Sequence, residues 1–315
     1  MFISIFFVII GFCLLIKGAD FLVEGSSNIA KKMNIPEIII GLTIVSIGTS
    51  MPEFFVSLTS NLDGLSDIAI GNIVGSNIAN LLLILGVATI IKPINIKRET
   101  KLIEIPICLV VTILFFIICN VEKSISRISG IIFVALFIMF IIYTILVASK
   151  EKRKISSNNT IQINKISLFR DVIDVALGII ALKVGAEVSV NNVVKIAECL
   201  NVSEKLISVT VLAVGTSLPE LFTSVSAAIK GKSDIAIGNI IGSNIFNILW
   251  ILGFSAIVNP LQYNCSFNKD MIFLILSTIL LEKFPMVPPK NQMSKLNGVL
   301  FLLIYIAYIF MLSME

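Results

Sequence analysis

The sequence predicts an all-α integral membrane protein made of two similar halves, and three observations lead to this prediction. The chain has 315 residues, of which 57% are hydrophobic and 14% are charged, and its mean hydropathy is +1.01. A soluble domain has about a quarter of its residues charged. Apolar stretches long enough to cross a bilayer recur along the whole chain. Finally, a block of 33 residues is present twice, as Gly48–Asn80 and Gly215–Asn247.

The apolar stretches of the sequence predict ten transmembrane helices. A helix crosses the hydrocarbon core with about 20 apolar residues. Span 9 is the weakest of the ten, because charged residues follow its short apolar run at once. Span 1 has no basic residues before it and no small-residue cleavage pattern after it, so we expect a retained helix and not a signal peptide. Spans 1 to 10 are, in order, Phe2–Lys31, Pro36–Ser60, Ile68–Ile91, Leu102–Asn120, Ile128–Ala148, Val172–Leu200, Glu204–Ile229, Ile235–Val258, Met271–Phe284 and Leu296–Leu312.

The distribution of basic residues predicts the orientation of the spans. The odd-numbered connections between spans contain 17 Lys and Arg residues, whereas the even-numbered connections contain 4. Basic residues are enriched in cytoplasmic loops. We therefore expect the odd connections in the cytoplasm, both termini outside the cell, and a multi-pass protein of the plasma membrane. The net charge of +4 needs no nucleic-acid partner to explain it.

The duplicated block predicts how the two halves are related. Its copies align without a gap at an offset of 167 residues, and 21 of the 33 positions are identical. The offset places span 2 against span 7 and span 3 against span 8. Each half then has five spans, an odd number, so we predict two inverted-topology repeats of five related by an axis in the membrane plane. We expect residues 1–148 to form the first repeat, 149–171 a polar cytoplasmic linker, and 172–315 the second repeat.

Composition restricts the chemistry that the chain can carry out. There is no histidine, and the five cysteines show no CxxC spacing. Histidine is the commonest ligand for transition metals and the usual proton relay near neutral pH. We therefore expect a hard cation bound by oxygen atoms, with no catalytic residues and no cofactor.

The first polar stretch of each copy is Gly-Thr-Ser-x-Pro-Glu, in spans 2 and 7. Proline lacks an amide hydrogen, so Pro52 and Pro219 should kink or break their helices and free nearby carbonyl groups. An ordinary proline kink, with hydroxyls bonded to their own helix, would explain one such stretch. It does not explain a glutamate at the kink in both copies. Glu53 and Glu220 would repel each other if both were ionised with no cation between them.

The second polar stretch of each copy is Gly-Asn-Ile-x-Gly-Ser-Asn-Ile-x-Asn, in spans 3 and 8. Close helix packing of the GxxxG type explains the glycines but not the amides. Ser76 and Asn80 are four residues apart and share a helix face, as do Ser243 and Asn247. Asn72 is expected one turn further along that face. We predict a cage of carboxylate, amide, hydroxyl and carbonyl oxygens that suits Ca²⁺, or Na⁺ when divided into smaller clusters.

With GTSxPE and GNxxGSNxxN present twice in this order, the chain resembles the sodium/calcium exchanger branch of the cation/Ca²⁺ exchanger superfamily, in its prokaryotic form. The resemblance implies ten helices, a central four-helix core with broken helices 2, 3, 7 and 8, and alternating access in which spans 1 and 6 slide past that core. It implies an antiporter that exchanges Na⁺ for Ca²⁺ and extrudes Ca²⁺, with backbone carbonyls near Ser46 and Ala213 as further ligands. The ion-binding side chains then fall on Thr49, Ser50, Glu53, Ser76, Asn80, Thr216, Ser217, Glu220, Ser243 and Asn247.

Several functional alternatives follow from the same residues. Two ionised glutamates balance one Ca²⁺ or two Na⁺, so exchange of three Na⁺ for one Ca²⁺ is permitted but not established. Some members of the family have Asp where this chain has Asn247, which leaves the ion stoichiometry, proton competition and K⁺-dependent Na⁺/Ca²⁺ exchange open. H⁺/Ca²⁺ exchange is the other alternative within transport, but the motifs disfavour it, because the proton-coupled branch resembles a different repeat centred on Gly-Asn-x-x-Glu. A single site within one chain argues against a channel, and we expect a functional monomer. Without histidine, a Ser-His hydrolase or an HExxH metalloprotease is excluded.

Charged residues inside spans 1 and 6, and at the starts of spans 3 and 8, are expected to have structural roles. Lys17 with Asp20, and Lys183 with Glu187, are spaced to neutralise each other on their helices, with the lining of an ion access route as the alternative. Asp67 and Asp234 are expected to cap the helices of spans 3 and 8.

Overall fold

A computed structural model describes residues 2–156, 165–200, 215–286 and 290–313 of the chain. These residues form long helices joined by short connections, with only four strands of two residues each. The helices are α1 Phe2–Met33, α2 Glu37–Thr49, α3 Met51–Leu62, α4 Ser66–Ile91, α5 Thr100–Glu122, α6 Arg127–Ser156, α7 Lys165–Cys199, α8 Leu218–Ile229, α9 Ser233–Val258, α10 Asn268–Lys283 and α11 Lys295–Ser313.

The structure describes a multi-pass membrane protein. Six helices (α1, α4, α5, α6, α9 and α11) are long and apolar enough to cross a bilayer, and the bent pair of α2 and α3 makes a seventh. The helices α7, α8 and α10 correspond to the predicted spans 6, 7 and 9. Residues 204–214 of span 7 lie outside the described residues, so the full count of ten stays a prediction.

The helices on either side of the predicted linker continue into it. Helix α6 ends at Ser156 and α7 begins at Lys165, so both lie partly within the polar segment 149–171. Lysine, arginine and glutamate form helices readily, and a helix that leaves the bilayer can continue through them in water. Hydropathy marks where the membrane ends and not where the helix ends.

Two small antiparallel ladders join the halves at their ends. Strand β1 (Ile94–Asn95) pairs with β4 (Gln292–Met293), and β2 (Ser124–Ile125) pairs with β3 (Leu261–Gln262). Each ladder contains one strand from each half, and β3 stands at the position of β1 in the repeat (94 + 167 = 261). Strands of two residues carry no alternation of polar and apolar side chains, which is why the sequence did not predict them.

Helices α1 and α7 pack against each other along much of their length, and glycines allow their close approach. A Cβ atom added at Gly18 would lie 2.9 Å from the carbonyl oxygen of Gly178, and one added at Gly11 would lie 2.9 Å from that of Gly185. Small residues in membrane helices permit backbones to approach in this way. The two longest helices, one from each half, therefore form a closely packed pair.

The buried fraction of each helix distinguishes the central helices of the described structure from the peripheral ones. Most of the central window of α4 and α9 is buried, 78% and 83%, whereas only 28% of α6 and 22% of α11 is buried. The polar motifs of the duplicated block are carried by the two most buried helices and by the broken helix before each of them. The periphery presents mainly apolar side chains to the surroundings.

The prediction that Asp67 and Asp234 cap their helices is wrong. Each is the second residue of its helix, and the residues at the cap positions make no side-chain capping bond. Asp234 instead forms a 2.6 Å ion pair with Lys97. A carboxylate inside the first turn still interacts favourably with the helix dipole, which explains why acidic residues occur at both positions.

Candidate cation site

A break in the helix lies beside the proline of the first copy. Helix α2 ends at Thr49 and α3 begins at Met51 with a bend of 48°, and Pro52 is the second residue of α3. The residue at the break, Ser50, has φ −85° and ψ 11°, and its equivalent Ser217 has φ −87° and ψ 6°. The break predicted at Pro52 is confirmed, and the second half has the same local backbone before α8.

The two glutamates lie in the first turns of α3 and α8. Both are buried, with 0% of Glu53 and 1% of Glu220 exposed. Negative charge is favourable at a helix N-terminus, where amide groups have no partner in the helix. The hydroxyl of Ser217 donates to Glu53 Oε1 at 3.1 Å, and that of Ser50 donates to Glu220 Oε1 at 2.7 Å. Each carboxylate is therefore held against the break of the opposite half.

The threonines of the breaks also contact the opposite half. Thr49 Oγ1 lies 3.0 Å from Asn239 Oδ1, and Thr216 Oγ1 lies 3.5 Å from Asn72 Oδ1. The threonine hydroxyls donate in both contacts. The site is thus built from pairs of equivalent interactions that cross between the halves, as a two-fold relation requires.

Asn72 and Asn239 form hydrogen bonds with the helices that carry the two glutamates. The amide of Asn72 donates to the Ser57 hydroxyl at 3.0 Å and to the Glu53 carbonyl at 3.4 Å, and Asn239 makes the equivalent bonds to Ser224 and Glu220. We had expected Asn72 to face the cage beside Ser76 and Asn80. Its donors are instead used to join α4 to α3.

Asn77 and Asn244 are functional candidates that the sequence reasoning did not single out. The amide of each donates to the backbone carbonyl of the other, at 3.2 and 3.3 Å. Their side-chain oxygens accept bonds from Asn247 and Asn80, at 2.9 and 3.0 Å respectively. The identity of these asparagines in both copies was the available signal. They join α4 to α9 where the two most buried helices cross.

Asn80 and Asn247 are oriented by these bonds. The amide nitrogen of each residue donates to the asparagine of the opposite half, which fixes the orientation of the side chain. The side-chain oxygens of both residues have no hydrogen-bond partner. Each residue lies at the start of a π-helical segment, Ala79–Ile84 in α4 and Asn247–Leu252 in α9. Such segments are frequent at functional sites because they change the direction of side chains within a helix.

Unpaired buried oxygens are the main chemical feature of the site. A buried acceptor without a partner is unfavourable by about 1–3 kcal/mol, and several in one place require an explanation. In the described part of the chain no three His, Cys, Asp or Glu side chains come together, so amide and hydroxyl oxygens would have to complete any metal site around the two carboxylates. Of the unpaired buried atoms in the described chain, those at the candidate site are Glu53 Oε2, Glu220 Oε2, Asn80 Oδ1, Asn247 Oδ1 and Ser76 Oγ.

Ser76 and Ser243 differ between the halves, although the sequence places them equivalently. Both are buried, but the hydroxyl of Ser243 lies 3.5 Å from the Ser46 carbonyl while that of Ser76 has no partner. Thr49 Oγ1, whose single hydrogen is donated to Asn239 Oδ1, lies 3.3 Å from the same carbonyl. Ala213, the equivalent of Ser46, lies outside the described residues.

Among the described residues, the site has an open approach on one side. A cavity of about 690 Å³ reaches Asn72 and Thr216 and is lined by Gly75 and Ile68. Within the part of the chain that the structure describes, a Cβ atom added at Gly75 would meet nothing within 4 Å, whereas one added at the equivalent Gly242 would lie 2.8 Å from the backbone of Leu42. The position equivalent to Leu42 in the second half (42 + 167 = 209) lies outside the described residues. We call the side of Gly75 the open approach and the side of Gly242 the closed approach.

An ion cluster lies on the closed approach. Lys230, directly after α8, forms 2.8 Å ion pairs with Asp20 and Glu24 of α1. The prediction that Asp20 is neutralised by Lys17 is corrected, since Lys230 and the hydroxyl of Ser226 bind its carboxylate. Lys230 can do so because α8 lies against α1. At the equivalent position the first half has Asp63 (63 + 167 = 230).

Lys183 and Glu187 are on the open approach. Their charged groups are 3.9 Å apart, as the pairing interpretation predicted. Both also line the open cavity, where Lys183 Nζ lies 5.4 Å from the centre of the Phe55 ring. The two interpretations of this pair are therefore compatible.

Asn77→Ala is expected to lower the free energy of unfolding by about 1–3 kcal/mol, because it removes two buried amide interactions and leaves the Asn247 amide without its acceptor. Asn244→Ala should have a similar effect, since its bonds are equivalent. Thermal unfolding in detergent measures both. Asn192→Ala is the control, because Asn192 donates only within its own helix, to the Val188 carbonyl. Equal unfolding temperatures for all three variants would contradict the role of the pair.

A helical membrane fold with two equivalent polar motifs around buried oxygens is the arrangement expected of a cation transporter. The family model described as "Sodium/calcium exchanger protein" matches residues 3–146 and 172–314, one segment in each half. The chain belongs to this family, and it is a cation/Ca²⁺ exchanger. The resemblance found in the motifs is thereby confirmed.

Relatives and solved structures agree over the whole chain. The sodium/calcium exchanger MaX1 of Methanosarcina acetivorans is 31% identical over 97% of each chain. The inner membrane protein YrbG of Escherichia coli is 34% identical over 87% of this chain and 86% of its own. A structure of the sodium-calcium exchanger NCX_Mj has a TM-score of 0.85, with 32% identity over 98% of each chain. Other NCX_Mj crystals were soaked with Na⁺ and with Ca²⁺ or Sr²⁺.

Proposed function

We propose that this protein is a secondary antiporter that exchanges Na⁺ for Ca²⁺ and normally extrudes Ca²⁺ from the cell. The observation that carries the proposal is the group of buried, unpaired oxygens around Glu53 and Glu220. Oxygen atoms from carboxylates, amides and hydroxyls are the ligands of Ca²⁺, which takes about 6–8 of them. Two carboxylates also match the charge of one Ca²⁺ or two Na⁺.

The proposed ligands come in equivalent pairs from the two halves. Glu53 with Glu220, and Asn80 with Asn247, offer oxygens that have no other partner. The hydroxyl groups of the breaks and of the neighbouring helices complete the set, since a hydroxyl can turn its hydrogen away and present a lone pair to a cation. The remaining proposed ligands are Thr49, Ser50, Ser76, Thr216, Ser217 and Ser243.

The proposed architecture is ten helices in two inverted repeats of five, with both termini outside the cell. Positive-inside bias then makes the connection before Ile68 extracellular. Since Ile68 lines the open cavity, the described conformation would face outward. Release on the other side requires the open approach to close and the approach beside Lys230 to open, which is alternating access about one site.

Calcium flux in proteoliposomes tests the coupling ion. With an outward gradient of Na⁺, K⁺ or H⁺ imposed separately, we expect Ca²⁺ uptake driven by Na⁺ alone. Protein-free liposomes under the same gradients give the background leak. Uptake driven by the H⁺ gradient without Na⁺ would replace the proposal by H⁺/Ca²⁺ exchange. A requirement for K⁺ in addition to Na⁺ would identify K⁺-dependent exchange, which asparagine at both 80 and 247 leaves open.

A further inference from the structure

A second cavity lies on the opposite side of the broken helix from the cation site. It has a volume of about 800 Å³ and runs between α2, the C-terminal half of α6, and α7. Ile44 of α2 and Ile145 of α6 form its exposed rim, with 39% and 56% of their surfaces accessible. Its inner end is formed by Gly48 and Met51. We call this cavity the lateral groove.

The lateral groove offers an occupant no hydrogen-bonding side chain with a free donor. Only three hydroxyl groups line it, and each donates to a carbonyl of its own helix. Thr43 donates to Ile39 at 2.6 Å, Thr144 to Ile141 at 2.7 Å, and Ser149 to Ile145 at 2.9 Å. The other lining side chains are aliphatic or methionine. The groove therefore selects for an apolar occupant and not for an ion or a polar substrate.

The position of the groove determines what that occupant is. Helix α6 is a membrane-spanning helix, and the rim of the groove opens sideways on its exposed face. An apolar space left empty would lose the dispersion contacts of its walls. The molecules that surround this face are lipids, whose acyl chains are flexible and apolar.

The charge at the mouth of the groove selects the headgroup. Met33 and Ser149 line the mouth, and each is next in sequence to a basic residue, Lys32 and Lys150. Lys31 and Lys150 are exposed, while Lys32 forms an ion pair with Asp171. These lysines belong to predicted cytoplasmic connections, where anionic lipids attract basic residues. We propose that the lateral groove binds one acyl chain of an anionic phospholipid, whose headgroup lies against Lys31 and Lys150.

A lipid in the lateral groove would contact the helix break that carries two of the proposed cation ligands. Gly48 and Met51 flank Thr49 and Ser50, so the inner end of the groove is one residue from each proposed ligand at the break. Ile179 of α7 closes this end, and a Cβ atom added at Gly48 would lie 2.6 Å from its Cδ1 atom. The acyl chain would thus occupy the space into which the cytoplasmic half of the broken helix could move.

Photo-crosslinking tests the site without any need for transport. The protein is placed in phosphatidylcholine nanodiscs containing phosphatidylglycerol with a diazirine on one acyl chain, and labelled peptides are identified by mass spectrometry. We expect labelling concentrated in residues 39–51 and 141–149, above the level on the exposed face of α11. Ile145→Trp should reduce labelling of residues 39–51 to that level, because the indole ring fills the rim. Ile132→Trp, at a lipid-facing position of α6 outside the groove, is the matched control.

A second groove variant and a second lipid complete the photo-crosslinking experiment. Ala148→Phe fills the groove from a lining position that is 8% exposed, and it replaces Ile145→Trp if that variant does not fold. Lys150→Gln should lower labelling by phosphatidylglycerol about fivefold, whereas Lys290→Gln, an exposed lysine elsewhere on the predicted cytoplasmic side, should not. Uniform labelling of all lipid-facing helices, unchanged in both groove variants, would overturn the site. Equal labelling by diazirine phosphatidylcholine would overturn the anionic headgroup.

Discussion

Glu53→Gln and Glu220→Gln are each expected to abolish Na⁺-driven Ca²⁺ uptake, with a decrease of at least about 100-fold, because losing one charged partner of a buried ionic interaction is worth about 3–5 kcal/mol. Glutamine keeps the size of the side chain and one oxygen. It removes the negative charge and turns one acceptor into a donor, which would point at the cation. Both carboxylates are buried, so each substitution changes the interior of the proposed site and not its surface.

Uptake of ⁴⁵Ca into vesicles loaded with Na⁺ measures this effect. The matched control is Glu104→Gln, because Glu104 is also a buried glutamate in a membrane helix, with 4% of its surface exposed. It lies in α5, where the Tyr143 hydroxyl contacts it at 3.5 Å, and it belongs to neither copy of the duplicated block. We expect Glu104→Gln to retain exchange. Near-normal uptake in both Glu53→Gln and Glu220→Gln would refute the proposed site, whatever the control does.

The features that the sequence predicted correctly are those that follow from a single helix or from the repeat. Pro52 breaks its helix because proline lacks an amide hydrogen, and this holds in any surroundings. The burial of Glu53 and Glu220 follows from their apolar neighbours, and their interaction with the opposite half follows from the duplication. The same local chemistry in both halves made these two structural features predictable from the sequence, while the binding of a cation there stays a prediction.

Other features depend on contacts between helices, which one sequence does not record. Asn77 and Asn244 bind each other, but nothing in their spacing distinguishes them from Asn72 and Asn239, which hold glutamate-bearing helices instead. The partner of Asp20 was predicted on its own helix because spacing along a helix is visible in the sequence. The real partner, Lys230, comes from the other half.

The difference between the open and closed approaches was also beyond prediction, for a physical reason. Equivalent residues of a repeat have similar conformational propensities. The sequence therefore does not indicate which of the two approaches is open. Among the described residues, one approach is open and the other is closed. Ile68 is 50% exposed in the open approach, whereas the equivalent Ile235 is 0% exposed. At the position of Lys230 the two halves also differ in sequence, because the first half has Asp63 there.

Lys230→Met is expected to open the closed approach. The two ion pairs of Lys230 involve partly exposed carboxylates, so together they are worth about 1–2 kcal/mol, a factor of about 5–30 in the equilibrium between conformations. Methionine keeps the apolar stem and removes the charge. The negative charges of Asp20 and Glu24 would then lack a counter-charge from α8, which favours separation of α8 from α1.

Thiol accessibility at an equivalent pair of positions measures that shift. Val56 lines the open cavity and is 37% exposed, whereas its equivalent Thr223 is 0% exposed (56 + 167 = 223). A charged thiol reagent should therefore modify Val56→Cys from the predicted extracellular side and leave Thr223→Cys unmodified. The background replaces the three exposed native cysteines, Cys13, Cys199 and Cys265, with serine.

Adding Lys230→Met should make Thr223→Cys react from the predicted cytoplasmic side, about 5–30 times faster than before, and should slow the reaction of Val56→Cys. Lys295→Met, an exposed lysine on the same predicted side, is the control and should change neither rate. Reciprocal change at the two positions is the essential result, because one site with alternating access cannot be open to both sides. If Thr223→Cys became reactive while Val56→Cys reacted as fast as before, the ion cluster would be a local contact and not part of a gate.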